Sequence, residues 1–193
     1  MSSISPEIKR RKPWLSARQV AVVAVFGGLG FVFNALKITI PGYLPGLSFN
    51  FDGLWLTLAT MIGGPIAGFV TCFLTSIPGD IGLWGWMGYA IHALVLSIFY
   101  PAIYHRFKGW ARAGAFVGWN TVALLTQVWY FTALYAFVFK VGPFWGLMAF
   151  NMTYPVWGFI AIYSLVPFIV LLAAPKVVEP DWSWRRIFFR QEE

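Results

Sequence analysis

The chain has 193 residues, of which 59% are hydrophobic and 11% charged, and its formal net charge is +7. With a mean hydropathy of +0.70, this composition excludes a water-soluble globular domain of that length and reads as an integral membrane protein. The positive balance does not point to nucleic acid, because the basic residues sit at the chain ends and in one loop, where they act as topology signals. Cys72 is the single cysteine, so a disulfide framework and a cysteine metal site are both excluded.

Residues 1–16 form a polar tail carrying Lys9, Arg10, Arg11 and Lys12, closed by Trp14 at the headgroup level. A first span is predicted over 17–36, about 30 Å at ~1.5 Å per residue. It lacks a small-x-small cleavage site and is expected to be retained. Residues 37–48, KITIPGYLPGLS, make a loop. The run 49–80 then carries no charge between Asp52 and Asp80 and is divided by Gly63, Gly64 and Pro65. That punctuation predicts a tight hairpin between two spans, with an acid returning to the same side at each far end.

A fourth span is predicted over 84–104, with Pro101 bending its last turn. The basic loop HRFKGWAR follows, then a long fifth span over 113–139 and a sixth over 144–174, with Pro155 and Pro167 as kinks. Residues 175–193 interleave Lys176, Arg185, Arg186 and Arg190 with Trp182, Trp184, Ile187, Phe188 and Phe189, as expected of an amphipathic tail on the membrane surface. The predicted fold is an all-α membrane protein, one domain with a six-helix bundle over 17–174 and both termini cytoplasmic. With six spans, Lys9, Arg10, Arg11, Lys12, Arg18, Arg106, Lys108, Arg112, Lys176, Arg185, Arg186 and Arg190 fall inside, and Lys37 and Lys140 outside.

Two sets of residues stand out. Ala17, Ala21, Ala24 and Gly28 form a stripe of small side chains on the first span. It suits either packing within the bundle or docking of a separate membrane subunit. Polar side chains gather in the outer half of the spans: Asn34, Asp52, Asp80, His92, Asn120, Gln127, Tyr130, Asn151 and Tyr154. Each alone is satisfied by an interhelical hydrogen bond. Together, beside Trp84, Trp86, Trp129, Trp145 and Trp157, they suggest an outward-opening pocket for a flat heterocycle. Gly85, Gly88 and Tyr89, on the face of His92, would leave room beside the imidazole. The ligand set expected from this reading is Asn34, Asp52, Asp80, Trp84, His92, Gln127, Tyr130, Asn151 and Tyr154.

The sequence has no G-x-x-x-x-G-K-[ST], no H-E-x-x-H and no G-x-S-x-G, and its two histidines, His92 and His105, are predicted to lie far apart across the bilayer. An enzyme is therefore not expected, nor a cofactor of its own, and uphill transport would need ATP chemistry from another subunit.

The chain resembles the substrate-binding S component of an energy-coupling factor (ECF) transporter. The resemblance lies in the six-span layout and three stretches. These are A-x-x-x-A at Ala17 and Ala21, the Pro-containing loop after the first span, and FDGLWLTLATMIGGPIAG over 51–68, similar to the family's acidic start and G-P-x-x-G hairpin. One turn after that hairpin glycine, where the family carries a small residue, stands Cys72. The resemblance implies a prokaryotic cell-membrane protein that captures a vitamin or related micronutrient from outside and works with a scaffold subunit and two ATPases. Ala17 and Ala21 would face that scaffold. The aromatic excess favours thiamine, its pyrimidine precursor or a riboflavin-like ring. The alternative from another class is a membrane-embedded structural or assembly protein whose polar residues only tie helix to helix.

Overall fold

The computed structural model describes residues 15–42, 48–79, 82–153 and 155–182. The N-terminal tail, Asp80, Tyr154 and the tail beyond 182 lie outside them. Five helices, Ala17–Ala35 (α1), Asp52–Ser76 (α2), Gly82–Arg106 (α3), Gly109–Val138 (α4) and Pro155–Ala173 (α6), contain stretches long and apolar enough to cross a membrane, and Phe144–Thr153 (α5) precedes the last. The chain is an all-α membrane bundle. Its one β element among the described residues is a two-residue ribbon in the loop after α1, pairing Ile40 with Phe49 and Pro41 with Ser48.

Helix α2 is central. Of its most apolar stretch 67% is buried inside the protein, against 17% for α1, and it packs on α1, α3 and α6. It is not straight. Gly64 has φ 81 and ψ −176, a backbone state open in practice to glycine alone, and Pro65 follows with no N–H to continue the ladder. Without a reversal, Asp52 and Ser76 would stand about 36 Å apart at ~1.5 Å per residue. Both line the same cavity instead. Leu56 and Cys72 share one core cluster, and a side chain at Gly68 would run into Thr60. The chain therefore doubles back at Gly64, as the Gly-Gly-Pro punctuation predicts.

The arms are shorter than that reading expects. Residues 52–63 and 65–76 make 12 each, about 18 Å of helix against a hydrocarbon core of roughly 30 Å. The predicted pair of full spans is thus a pair of short helices enclosed by longer neighbours. The predicted sixth span is helical on both sides of residue 154, over Phe144–Thr153 and Pro155–Ala173.

The reversal is clamped from three directions. Gln19, in a helix start capped reciprocally with Ser16, donates from Nε2 to the Gly63 carbonyl at 3.0 Å. Val22 packs beside Gly63, and the Trp182 ring lies over Gly64. Trp182 is buried at 8% exposure and stacks near Tyr100, so it is part of the bundle and not the surface anchor the amphipathic-tail reading makes it. The segment leading to it is tied down by Tyr100 Oη donating to the Val178 carbonyl at 2.6 Å, Tyr104 Oη to the Pro175 carbonyl at 2.9 Å, and an Arg18–Asp181 ion pair at 3.1 Å. In the open chain, a tail residue that closes over a turn 118 positions away leaves no periodic trace.

This end of the bundle gathers Arg18, Arg112, which stacks on Tyr104 at 4.1 Å, and Lys176, whose 3-10 turn adjoins them. Lys37 and Lys140 follow the other ends of α1 and α4, both with positive φ. The charge asymmetry of the sequence is therefore an asymmetry in space between two ends of the bundle.

Replacing Gly64 by Ala puts a side chain 2.8 Å from the Trp182 ring and demands a backbone state costing about 1–3 kcal/mol. Gly28→Ala meets nothing within 4 Å. Thermal unfolding in detergent, followed by circular dichroism, should show a clear loss of stability for Gly64→Ala and none for Gly28→Ala. Equal effects would mean that the reversal does not depend on Gly64.

Candidate functional site

Opposite the Gly64 turn, a cavity of about 330 Å³ opens between the hairpin ends and helices α1, α3, α4, α5 and α6. That volume is at the small end of the range for small-molecule sites. Both arms of α2 end at it, through Asp52 and Ser76. Gly79, Gly82 and Gly85 line it with backbone, leaving space that larger residues would fill.

One wall is a closed polar network. Asp52, 3% exposed, accepts at Oδ2 from Tyr89 Oη and from Asn50 Nδ2, both at 2.9 Å. Asn50 Nδ2 also reaches Tyr89 Oη at 3.1 Å, and Asn50 Oδ1 accepts from Tyr163 Oη at 2.8 Å. Tyr163 lies against Gly53, where any side chain would overlap its ring. Asp52 is therefore not a wet helix end. Its carboxylate is held among phenols and an amide that satisfy it within the bundle.

Gln127 forms another polar point on the cavity wall, and Asn34 and Asn151 complete the rim. Asn34 Nδ2 donates to the Thr75 carbonyl at 2.7 Å, tying α1 to the hairpin. Asn151 Nδ2 donates to Thr132 Oγ1 at 3.0 Å, tying α5 to α4. Leu124, Val128, Val156 and Phe159 make the apolar face.

Of the ligand residues expected from sequence, the structure brings Asn34, Asp52, Gln127 and Asn151 to the cavity. Asp80 and Tyr154 are outside the described residues. His92, Trp84 and Tyr130 are not among the lining residues. His92 is fully buried one layer back, with Nδ1 2.7 Å from Gln127 Oε1 and Nε2 2.9 Å from Asn120 Oδ1. Trp84 is 47% exposed on the bundle surface, and Tyr130 Oη donates to its carbonyl at 3.1 Å. Gly88 leaves no space beside the imidazole: it lets Phe131 and Tyr130 pack onto α3.

The aromatic walls differ from the expectation as well. Trp129, Trp145 and Trp157 face outward, at 49%, 72% and 65% exposure, as residues of an interface belt do. The rings that line the cavity are Tyr89, Phe131, Tyr135, Phe159 and Tyr163. Asn50, Tyr89 and Tyr163 are the site residues the expected set lacks. Asn50 and Tyr163 are 113 positions apart, and the one available signal was Asn50 standing two residues before Asp52.

The small-residue stripe points away from the bundle. Ala17, Ala21 and Ala24 are exposed, and nothing lies within 4 Å of a side chain built at Gly28. Internal contacts fall to the opposite face of α1, where Val22, Gly27 and Gly30 meet α2. Packing within this bundle is thus not what the stripe serves.

No protein family, curated protein or solved structure matches the chain.

Asn50→Ala strands the Tyr163 hydroxyl without its acceptor and removes one partner of Asp52, in a buried network where each orphaned group costs about 1–3 kcal/mol. Tyr163→Phe leaves the contacts among Asp52, Asn50 and Tyr89 in place. Unfolding temperatures in detergent should fall further for Asn50→Ala than for Tyr163→Phe, and the reverse order would mean that Asn50 does not organise the wall.

Proposed function

We propose that the chain is the substrate-binding subunit of an ECF-type importer in a prokaryotic cell membrane, without ATPase activity of its own. It takes up a vitamin-like molecule from outside and passes it on through a scaffold subunit served by two ATPases. The observation that carries this reading is the cavity, which combines a satisfied acidic network, a few directed amides and phenol or phenyl rings at one end of a membrane bundle. Such a lining suits a small heteroaromatic ligand.

The exposed stripe of Ala17, Ala21, Ala24 and Gly28 supports a partner helix, since small residues let backbones approach closely in a membrane. The basic end, which holds the Gly64 turn, is the cytoplasmic one in this reading. The hairpin arms run from the cavity to that end and back without adding a full span, both termini are cytoplasmic, and the cavity faces outward.

Calorimetry with thiamine, its pyrimidine precursor and riboflavin should find one that binds at or below micromolar concentrations. Absence of binding by all three would contradict the reading. In cells supplying the partner subunits, the double change Ala17→Trp and Ala21→Trp should abolish uptake while the purified variant keeps its affinity. Loss of affinity together with uptake would return the stripe to a structural role.

A further inference from the structure

His92, Asn120 and Ser164 sit behind the cavity, fully or almost fully buried, and connect to it through Gln127. As placed, both ring nitrogens of His92 face amide oxygens, Gln127 Oε1 at 2.7 Å and Asn120 Oδ1 at 2.9 Å. A neutral imidazole has one N–H and one lone pair, so it cannot serve two acceptors. A doubly protonated ring could, but it would put a charge inside the bundle with only neutral amides bonded to it. One amide must therefore present its NH₂ to the ring. Exchanging an amide's oxygen and nitrogen changes no shape.

Ser164 decides which one. Among the described residues its hydroxyl bonds only to Asn120, as the acceptor from Nδ2 at 3.0 Å, which leaves a buried O–H undonated. If the Asn120 amide is turned, the serine O–H, one Asn120 N–H and the imidazole N–H each find an acceptor. Ser164 O–H donates to Asn120 Oδ1, Asn120 Nδ2 donates to His92 Nε2, and His92 Nδ1–H donates to Gln127 Oε1. Gln127 is left with its NH₂ toward the cavity. Turning Gln127 instead satisfies the imidazole but strands the serine proton, which costs about 1–3 kcal/mol.

We infer that Ser164, Asn120 and His92 form a one-way hydrogen-bond chain that fixes the Gln127 amide with its NH₂ facing the cavity, so that the site selects ligands presenting a ring nitrogen or carbonyl oxygen there. His92 is a positioning residue: it touches no ligand and sets the polarity of the group that does. The ligand half of this inference rests on the cavity being a binding site, whereas the direction of the chain does not.

His92 and His105 are the two histidines of the sequence, so ¹⁵N-histidine labelling of the protein in lipid gives two resolvable rings. Solid-state NMR should find His92 as a single neutral tautomer, protonated at Nδ1 and bare at Nε2. A ring protonated at Nε2, at both nitrogens, or as a mixture of tautomers overturns the inference. Asn120→Asp, which can only accept, should move a proton onto Nε2, and an unchanged spectrum in that variant also overturns it. If the variant does not fold, the spectrum of the unaltered protein decides alone. Gln127→Glu should weaken calorimetric binding of whichever of thiamine, its pyrimidine precursor or riboflavin binds by about tenfold or more, and unchanged affinity overturns the selectivity claim. If none of the three binds, the importer reading fails while the spectrum still decides the direction of the chain.

Discussion

The reversal of the backbone at Gly64 is the constraint on which the rest of the structure depends. A glycine-only conformation followed by proline turns one apolar run into two arms of 12 residues. The arms start from a buried turn at one end of the bundle and reach the cavity at the other. Gln19, Val22 and Trp182 hold the turn, which brings α1 and the segment after α6 to the same place. Asp52 and Ser76, the far ends of the arms, become neighbours at the cavity floor.

The two ends of the molecule are built from different interactions. At the turn end, basic side chains, carbonyls and tyrosines tie the chain termini of the bundle together. At the cavity end, amides and phenols satisfy one another around one carboxylate. In a low-dielectric interior an unmet polar group is costly, so a network closed on itself gives the cavity a fixed pattern of donors and acceptors. A fixed pattern, surrounded by rings, is what recognition of a small polar heterocycle requires.

Much of this was legible in the sequence. Composition identifies the membrane class, the clustering of Lys and Arg anticipates the two unlike ends, and Gly63-Gly64-Pro65 marks the reversal because only glycine tolerates the backbone at Gly64. What stayed hidden was direction. A helix period groups His92 with Gly85 and Tyr89 but cannot say which of them reaches the cavity and which lies behind it. Tryptophans drew attention by number, yet a bundle in lipid uses many of them on its outside. The Asn50–Tyr163 bond joins residues 113 positions apart, and such pairs have no signature in a single chain. The stripe on α1 could be recognised as a stripe but not as an outward-facing one.

The proposed role of the cavity is to hold a small heteroaromatic molecule. The most direct measurement is native mass spectrometry of the protein released gently from its membrane, with fragmentation of anything that copurifies. A single bound heteroaromatic compound, lost when bulk is introduced at Gly85 on the cavity wall, is the predicted result. A protein that carries no such compound, even after growth in medium rich in vitamins, would contradict it and leave the polar network as a device for joining helices.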